Sequence, residues 1–208
     1  MEKIKVCADF FPPYQYIDED GKVKGWDYEL IADRLRRAGY EPQMWIGPWD
    51  DIYEAFERGD QEVLFQAQDS PERLEKFYLS KLLRYAVTEV VTMHQDMLTI
   101  ERHSQLQDYK VGVIKGFANG PEIDELSDEC KVQFDGTKEI LEGIYSGEID
   151  CGVCDQGVKE YLLSGKNDLY PIEKLTYKRS LYVMFRKEEH RDAFDAAETF
   201  KRSKRTIR

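Results

Sequence analysis

The 208-residue sequence predicts an α/β protein built from two similar lobes. Three observations carry this. The hydrophobic period alternates between 2 and 3.6 along the chain, as it does where strands and helices take turns. A helix, a glycine-led pause and a buried strand occur once in each half: residues 52–58, Gly59-Asp60 and a strand from Val63, then residues 137–145, Ser146 to Asp150 and a strand over 151–154. The length leaves room for two lobes of about 100 residues each.

Taken in order, residues 3–7 read as the first strand. A turn-rich stretch follows, with Pro12-Pro13 and Asp18-Glu19-Asp20-Gly21. Asp27 is expected to cap a helix with the apolar face Tyr28, Ile31, Ala32, Leu35 and Ala38, and Gly39 ends it. Residues 43–46 form a short strand. Asp50 or Asp51 starts the next helix, which buries Ile52, Ala55 and Phe56 and stops at Gly59. Residues 63–67 read as a buried strand. In the second half, residues 109–114 form a strand before a turn at Gly116. The helix over 137–145 buries Ile140, Leu141, Ile144 and Tyr145. A helix over 156–163 follows the strand at 151–154. Residues 180–186 alternate, with Leu181, Val183 and Phe185 on one face, and 188–201 form a helix with Ala193, Ala196, Ala197 and Phe200 inward. Period alone leaves open which lobe this last pair joins.

Hydrophobic residues make up 41% and charged residues 34%, which gives a solid core and a well-solvated surface. No apolar run approaches the roughly 20 residues of a membrane helix. A formal charge of −11 repels phosphate backbones, so nucleic acid is excluded as a partner. The basic run Lys201-Arg202-Ser203-Lys204-Arg205 with Arg208 reads as a solvated helix end, favoured by the helix dipole. Met1 to Val6 runs straight into the first strand without an apolar leader. The expectation is a cytoplasmic chain, or an extracytoplasmic one whose signal has been removed. Cys151-Gly152-Val153-Cys154 has C-x-x-C spacing. With no second such pair and with His94, His103 and His190 scattered, the cysteines read as small buried residues rather than a redox or metal site. No metal or cofactor is implied.

The sequence contains no G-x-S-x-G, H-E-x-x-H, Walker or G-x-G-x-x-G motif, which speaks against the common hydrolase, protease and nucleotide chemistries. Three places remain. Phe10-Phe11-Pro12-Pro13-Tyr14 follows the first strand, where aromatics can stack on a ligand or simply pack. Asp69-Ser70-Pro71-Glu72-Arg73 opens a helix with Pro71 in its first turn, and Arg73 can fork onto a carboxylate or stay solvated. Asp155 follows the strand at 151–154, where it can cap the next helix or hold an ammonium group.

Together these segments resemble the type II periplasmic solute-binding proteins, specifically the polar amino-acid family (extracellular solute-binding protein family 3), over nearly the whole chain. The aromatic-Pro-Pro-aromatic element resembles the family's first pocket loop. Asp20-Gly21-Lys22-Val23-Lys24-Gly25-Trp26-Asp27-Tyr28-Glu29-Leu30 is similar to its D-G-x-x-x-G-F-D-x-D-L. Ser70-Pro71-Glu72-Arg73 is similar to T-P-E-R, with Ser80 as the serine shortly after it. Tyr109 to Gly116 resembles K-V-G-V-x-x-G, and Gly147-Glu148-Ile149-Asp150 resembles G-x-x-D. The resemblance implies a type II two-lobed fold, each lobe a mixed sheet flanked by helices with a two-strand hinge. Lobe one takes 1–92 and 178–208 and lobe two takes 93–177, with crossings near Thr92-Met93 and Tyr177-Lys178.

It also implies a small ligand, an amino acid or analogue, bound between the lobes by a monomer and handed to an ABC permease without chemical change. Arg73 would hold the ligand carboxylate and Asp155 the α-ammonium, so that a zwitterion favours closure. Backbone N–H groups near Phe117 and Ala118, at a helix start, would assist Arg73. Phe11 would stack on the ligand side chain, Trp49 would form an apolar wall, and Tyr14, Gln68 and Ser70 would line the pocket. The chain departs from the family pattern at Gln68, where Ser or Thr is usual, at Ala118, often Thr, and in the bulky strand Val63-Leu64-Phe65-Gln66-Ala67. Two other functions remain open: a dehydratase of the cyclohexadienyl or arogenate type, for which Asp9 is the early candidate acid, and the sensor lobe of a membrane receptor.

Overall fold

A computed structural model describes residues 1–117, 119–166 and 168–198. In chain order the elements are strand β1 (Glu2–Asp9), the short strands β2 (Tyr16–Ile17) and β3 (Val23–Lys24), helix α1 (Trp26–Arg37), β4 (Tyr40–Gly47), α2 (Trp49–Arg58), β5 (Val63–Ala67), α3 (Pro71–Lys76), β6 (Tyr78–Leu79) and β7 (Arg84–Thr92). Then come β8 (Val111–Ile114), α4 (Pro121–Asp124), β9 (Lys131–Phe134), α5 (Thr137–Ser146), β10 (Cys151–Asp155), α6 (Gln156–Leu163), β11 (Tyr170–Pro171), β12 (Tyr177–Phe185) and α7 (Glu188–Ala196). No helix among the described residues is long and apolar enough to cross a membrane.

The chain divides into two units. Unit 1 contains Met1–Phe10, Tyr14–Leu83 and the stretch from Leu181; unit 2 contains Phe11–Pro13 and Arg84–Ser180. The final strand-helix pair, left open by period, therefore falls in unit 1 from Leu181 onward. The helix predicted over 188–201 is described to Ala196, and Phe200 and the basic run at 201–208 lie outside the described residues.

The two units repeat one strand plan. In unit 1, β1 pairs in parallel with β4 and β5, and β5 pairs antiparallel with β12. In unit 2, β8 pairs in parallel with β9 and β10, and β10 pairs antiparallel with β7. Helical crossovers generate the parallel pairs and cover the sheet. The repeated helix-glycine-strand unit is present in both: α2 ends on Gly59 and α5 on Gly147, each left-handed. The two following N–H groups then fold back on the last turn, Asp60 to the Ala55 carbonyl at 2.9 Å and Glu148 to that of Gly143 at 3.0 Å.

Period-2 alternation sorts each sheet into two cores. In unit 1, Ile4, Val6, Ala8, Val63 and Phe65 face Ile31 and Leu35 of α1, whereas Cys7 and Leu64 face Ile52 and Phe56 of α2. Ala67 breaks the alternation. It packs with Leu64 rather than with Val63 and Phe65, because Gln66 sits at φ 63 and the β5–β12 register shifts between Tyr182 and Val183. One left-handed residue resets which face the strand presents. In unit 2, Cys151 and Val153 pack on one face while Cys154 packs on the other with Ile140 and Ile144. Positions i and i+3 of a strand point apart, so the C-x-x-C pair cannot converge on one partner. All four cysteines are buried and free, and burial pushes the Cys7, Cys151 and Cys154 thiols up to about 12.

Two predicted helix starts are corrected. Gly25, not Asp27, occupies the N-cap of α1. A Cβ at Gly25 would lie 2.2 Å from the Tyr14 carbonyl oxygen, which accepts from the N–H groups of Asp27 and Tyr28 at 3.0 and 3.3 Å. Only glycine allows that approach, and Asp27, in the first turn, is buried instead. Helix α2 begins at Trp49 after Pro48, ahead of Asp50 and Asp51, which lie in its first turn and complement the helix dipole.

Candidate functional site

In unit 1, β5 ends at Ala67 and the chain passes through Gln68 and Ser70 into α3. Ser70 is the N-cap: its Oγ accepts from the Arg73 N–H at 3.3 Å, and Pro71 fills the first helical position. This short capped helix aims Arg73. The guanidinium donates from Nη1 to the Gln68 carbonyl at 2.8 Å, and its carbon lies 5.4 Å from the Trp49 ring centroid and 5.2 Å from that of Tyr53. Trp49 and Tyr53, four residues apart on one face of α2, stack at 5.7 Å and 24°. The guanidinium is thus oriented by one carbonyl and two aromatic faces, and the rest of its fork has no hydrogen-bond partner among the described residues. Sequence reasoning missed Tyr53; its i, i+4 spacing from Trp49 was the available signal.

A second feature of unit 1 is a buried polar chain. Gln66 Nε2 donates to Gln15 Oε1 and to Asp27 Oδ2, both at 2.6 Å, and Gln15 Nε2 donates to Asp9 Oδ1 at 2.9 Å. It ties β1, the following loop, α1 and β5 together, and explains why Gln66 stands in a strand where small residues were expected. Asp9, the acid on which the dehydratase alternative rested, is one end of this chain. Nearby, Tyr14 meets Trp26 edge-on at 5.9 Å and 82°.

In unit 2, Asp155 ends β10 and caps α6. Its Oδ1 accepts from the N–H groups of Gly157 at 2.9 Å and Val158 at 3.1 Å. Its pKa is raised: burial dominates, while the Val158 N–H, the Arg84 and Arg179 guanidiniums and the Gly157 N–H pull the other way. On the opposite sheet face, Glu89 accepts from Lys159 Nζ at 2.5 Å and from Gln156 Nε2 at 3.0 Å, clamping α6 to β7. Phe11 is buried and packs on Phe117 at 6.4 Å. The helix expected to begin near Phe117 and Ala118 starts only at Pro121, after Gly120 at φ 103. The Phe117 N–H is used within its turn, donating to the Ile114 carbonyl at 3.3 Å, and Ala118 lies outside the described residues.

Of the predicted residues, Trp49, Gln68, Ser70 and Arg73 thus come together in unit 1, with Tyr14 on the loop there. Phe11, Phe117 and Asp155 belong to unit 2.

The fold is similar to that of solved amino-acid-binding proteins. The arginine-bound form of truncated ArgBP from T. maritima superposes with a TM-score of 0.79 at 19% identity, over 94% of each chain. The arginine-, lysine-, histidine-binding protein ArtJ from Geobacillus stearothermophilus gives 0.78 at 18% identity, over 94% of this chain and 87% of that one. The family model of bacterial extracellular solute-binding proteins, family 3, matches residues 4–197, and the chain belongs to that family. A relative from Neisseria gonorrhoeae described as "Probable histidine-binding protein" is 22% identical over 152 residues, which are 71% of this chain and 56% of that protein. The chain therefore spans little more than half the length of that relative.

Proposed function

We propose that this chain is a non-catalytic solute-binding protein for a small α-amino acid or close analogue, acting outside the cytoplasm and delivering its ligand to an ABC-type permease. The observation that carries the reading is the Arg73 guanidinium, oriented by Gln68, Trp49 and Tyr53 at the carboxyl end of β5 in a family 3 chain. A planar fork with donors to spare is suited to a carboxylate. An α-amino acid carries the carboxylate that suits Arg73 and an ammonium group that suits a carboxylate such as Asp155. The binding proteins similar to this chain are described for histidine, arginine and lysine, which supports the ligand class.

The test is calorimetric titration of the purified chain with each L-amino acid, repeated with Arg73→Ala. At least one ligand should bind, and the variant should lose it. The reading fails if no amino acid binds, or if the bound one is unaffected by the substitution.

A further inference from the structure

Gln66 holds a conformation that belongs to glycine. Its φ of 63° is left-handed, which glycine adopts without cost and a residue with a long side chain rarely does. Along the β5–β12 pairing, β5 advances two residues from Phe65 to Ala67 while β12 advances one, from Val183 to Tyr182. Gln66 is thus the extra residue of a β-bulge. What glycine would supply by freedom, Gln66 supplies by bonding. Its side-chain amide donates to Gln15 Oε1 and to Asp27 Oδ2, each at 2.6 Å. Both partners are buried, and Gln15 is itself bonded to Asp9 at 2.9 Å. The turn at Gln66 is therefore pinned by β1, the loop after it and α1 at once.

The bulge lies two residues before the carbonyl that aims Arg73. Ala67, between them, is fully buried in the core under α2, so it passes the turn on rather than absorbing it. Gln68 then presents its carbonyl to Arg73 Nη1 at 2.8 Å. Bulges beside functional sites commonly re-aim the group that follows them. We propose that Gln66 is a positioning residue for Arg73. Its two side-chain bonds hold the left-handed turn, the turn directs the Gln68 carbonyl, and the carbonyl orients the guanidinium against Trp49 before any ligand arrives. The role rests on the reading above, in which Arg73 takes the ligand carboxylate. Its effect on binding is pre-organisation: the long Arg73 side chain is ordered in advance, and the ligand does not have to order it.

Trp49 reports on the guanidinium, whose carbon lies 5.4 Å from its ring centroid. The chain has three tryptophans, so Trp26→Phe with Trp45→Phe leaves Trp49 as the sole tryptophan emitter. In that background, Arg73→Ala fixes the emission of Trp49 without its cation. Gln66→Gly keeps the left-handed turn sterically open and deletes both bonds. It should move the ligand-free emission most of the way to the Arg73→Ala value. It should also weaken the tightest binder among the twenty L-amino acids, titrated calorimetrically, by about tenfold, the cost of ordering one long side chain on binding. With Arg73→Ala already present, it should change neither further. Gln66→Asn also tolerates positive φ but is one methylene short of both acceptors. It should act alike, and it is read instead if Gln66→Gly does not fold. Phe194→Leu loosens the unit 1 core where Phe194 packs on Phe185 and Arg34. It should lower the unfolding free energy and leave the emission unchanged, as a merely structural Gln66 would. If Gln66→Gly leaves the emission at its wild-type value while Arg73→Ala shifts it, Gln66 does not position Arg73, and the amino-acid reading is untouched. An emission indifferent to Arg73→Ala overturns the contact and the proposal with it. If the emission follows Gln66 as stated but no amino acid binds, the positioning stands and the amino-acid reading falls.

Discussion

The guanidinium of Arg73 donates to the main-chain carbonyl of Gln68, five residues earlier, at 2.8 Å. The bond fixes the direction of the fork with a backbone group, so the identity of the Gln68 side chain is free to differ from the family's usual Ser or Thr without moving Arg73. Replacing Arg73 by Lys keeps the charge but not the planar fork. Arg73→Lys should weaken ligand binding by about 10–100-fold, the loss of one charged hydrogen bond of roughly 1.5–3 kcal/mol. The fold should be unaffected, because α3 buries none of its residues. Calorimetry paired with a thermal melt checks both halves, and a melting temperature that falls with the affinity would make Arg73 a structural residue instead.

Much of this fold is legible in the sequence because glycines and periodicity are local signals. The spans 63–67 and 156–163 coincide with β5 and α6, and Gly59 and Gly147 end the two equivalent helices. Strand β7, by contrast, was not anticipated: Arg84, Thr88 and Glu89 interrupt its apolar pattern, and Glu89 is accounted for by Gln156 and Lys159, more than 60 residues away. The same holds for Asp27. Its position after a turn suggested a cap, and only the tertiary approach of Gln66, 39 residues away, shows why the carboxylate is buried. For the candidate site, motif order proposes Arg73 and Asp155, whereas Tyr53 depends on which face of α2 meets the Arg73 guanidinium.

Asp155 combines a cap with a buried charge, and two substitutions separate these. Asn accepts the same cap bonds as Asp, so Asp155→Asn keeps α6 capped, while Asp155→Ala loses the cap at about 1 kcal/mol. The folded-state pKa of Asp155 lies above the ordinary 3.8, chiefly through burial. The unfolded chain therefore ionises first as pH rises, and the native state loses stability from about 3.8 up to the raised value, then levels off. Asp155→Asn should thus be more stable than wild type at pH 7, with the gap closing as pH falls through that window. Urea unfolding across pH 3.5 to pH 7 measures it, and a gap that widens toward acid would contradict the burial of this charge.

Glu89 and Lys159 form an ion pair whose side chains are 5% and 10% exposed. Removing one partner strands the other in the core of unit 2. Lys159→Met and Glu89→Gln should each destabilise by about 3–5 kcal/mol, and the double variant by clearly less than the sum. A double-mutant cycle by urea denaturation reads the coupling directly. Additive single effects would mean that water, rather than the partner, satisfies each charge.

Gly25 and Gly21 lie four residues apart in the same motif, both at positive φ, 122° and 74° respectively. Their surroundings differ. A Cβ at Gly21 meets nothing within 4 Å, whereas one at Gly25 would lie 2.2 Å from the Tyr14 carbonyl oxygen and 2.4 Å from its carbon. Backbone cannot yield as a flexible side chain can. Alanine at Gly21 therefore adds only the conformational cost of a left-handed residue, about 1 kcal/mol. Alanine at Gly25 must in addition push the Tyr14 segment away, breaking the bonds from the Asp27 and Tyr28 N–H groups that seat it on α1. Gly25→Ala should cost about 3 kcal/mol or more, counting strain of roughly 1–3 kcal/mol and the lost N-terminal bonds at about 1 kcal/mol each. Because the same segment carries Tyr14 and the polar chain from Gln15 to Asp9, ligand affinity should fall with Gly25→Ala and hold with Gly21→Ala. Equal unfolding free energies for the two variants would show that the close approach at Gly25 is not what the motif glycine secures.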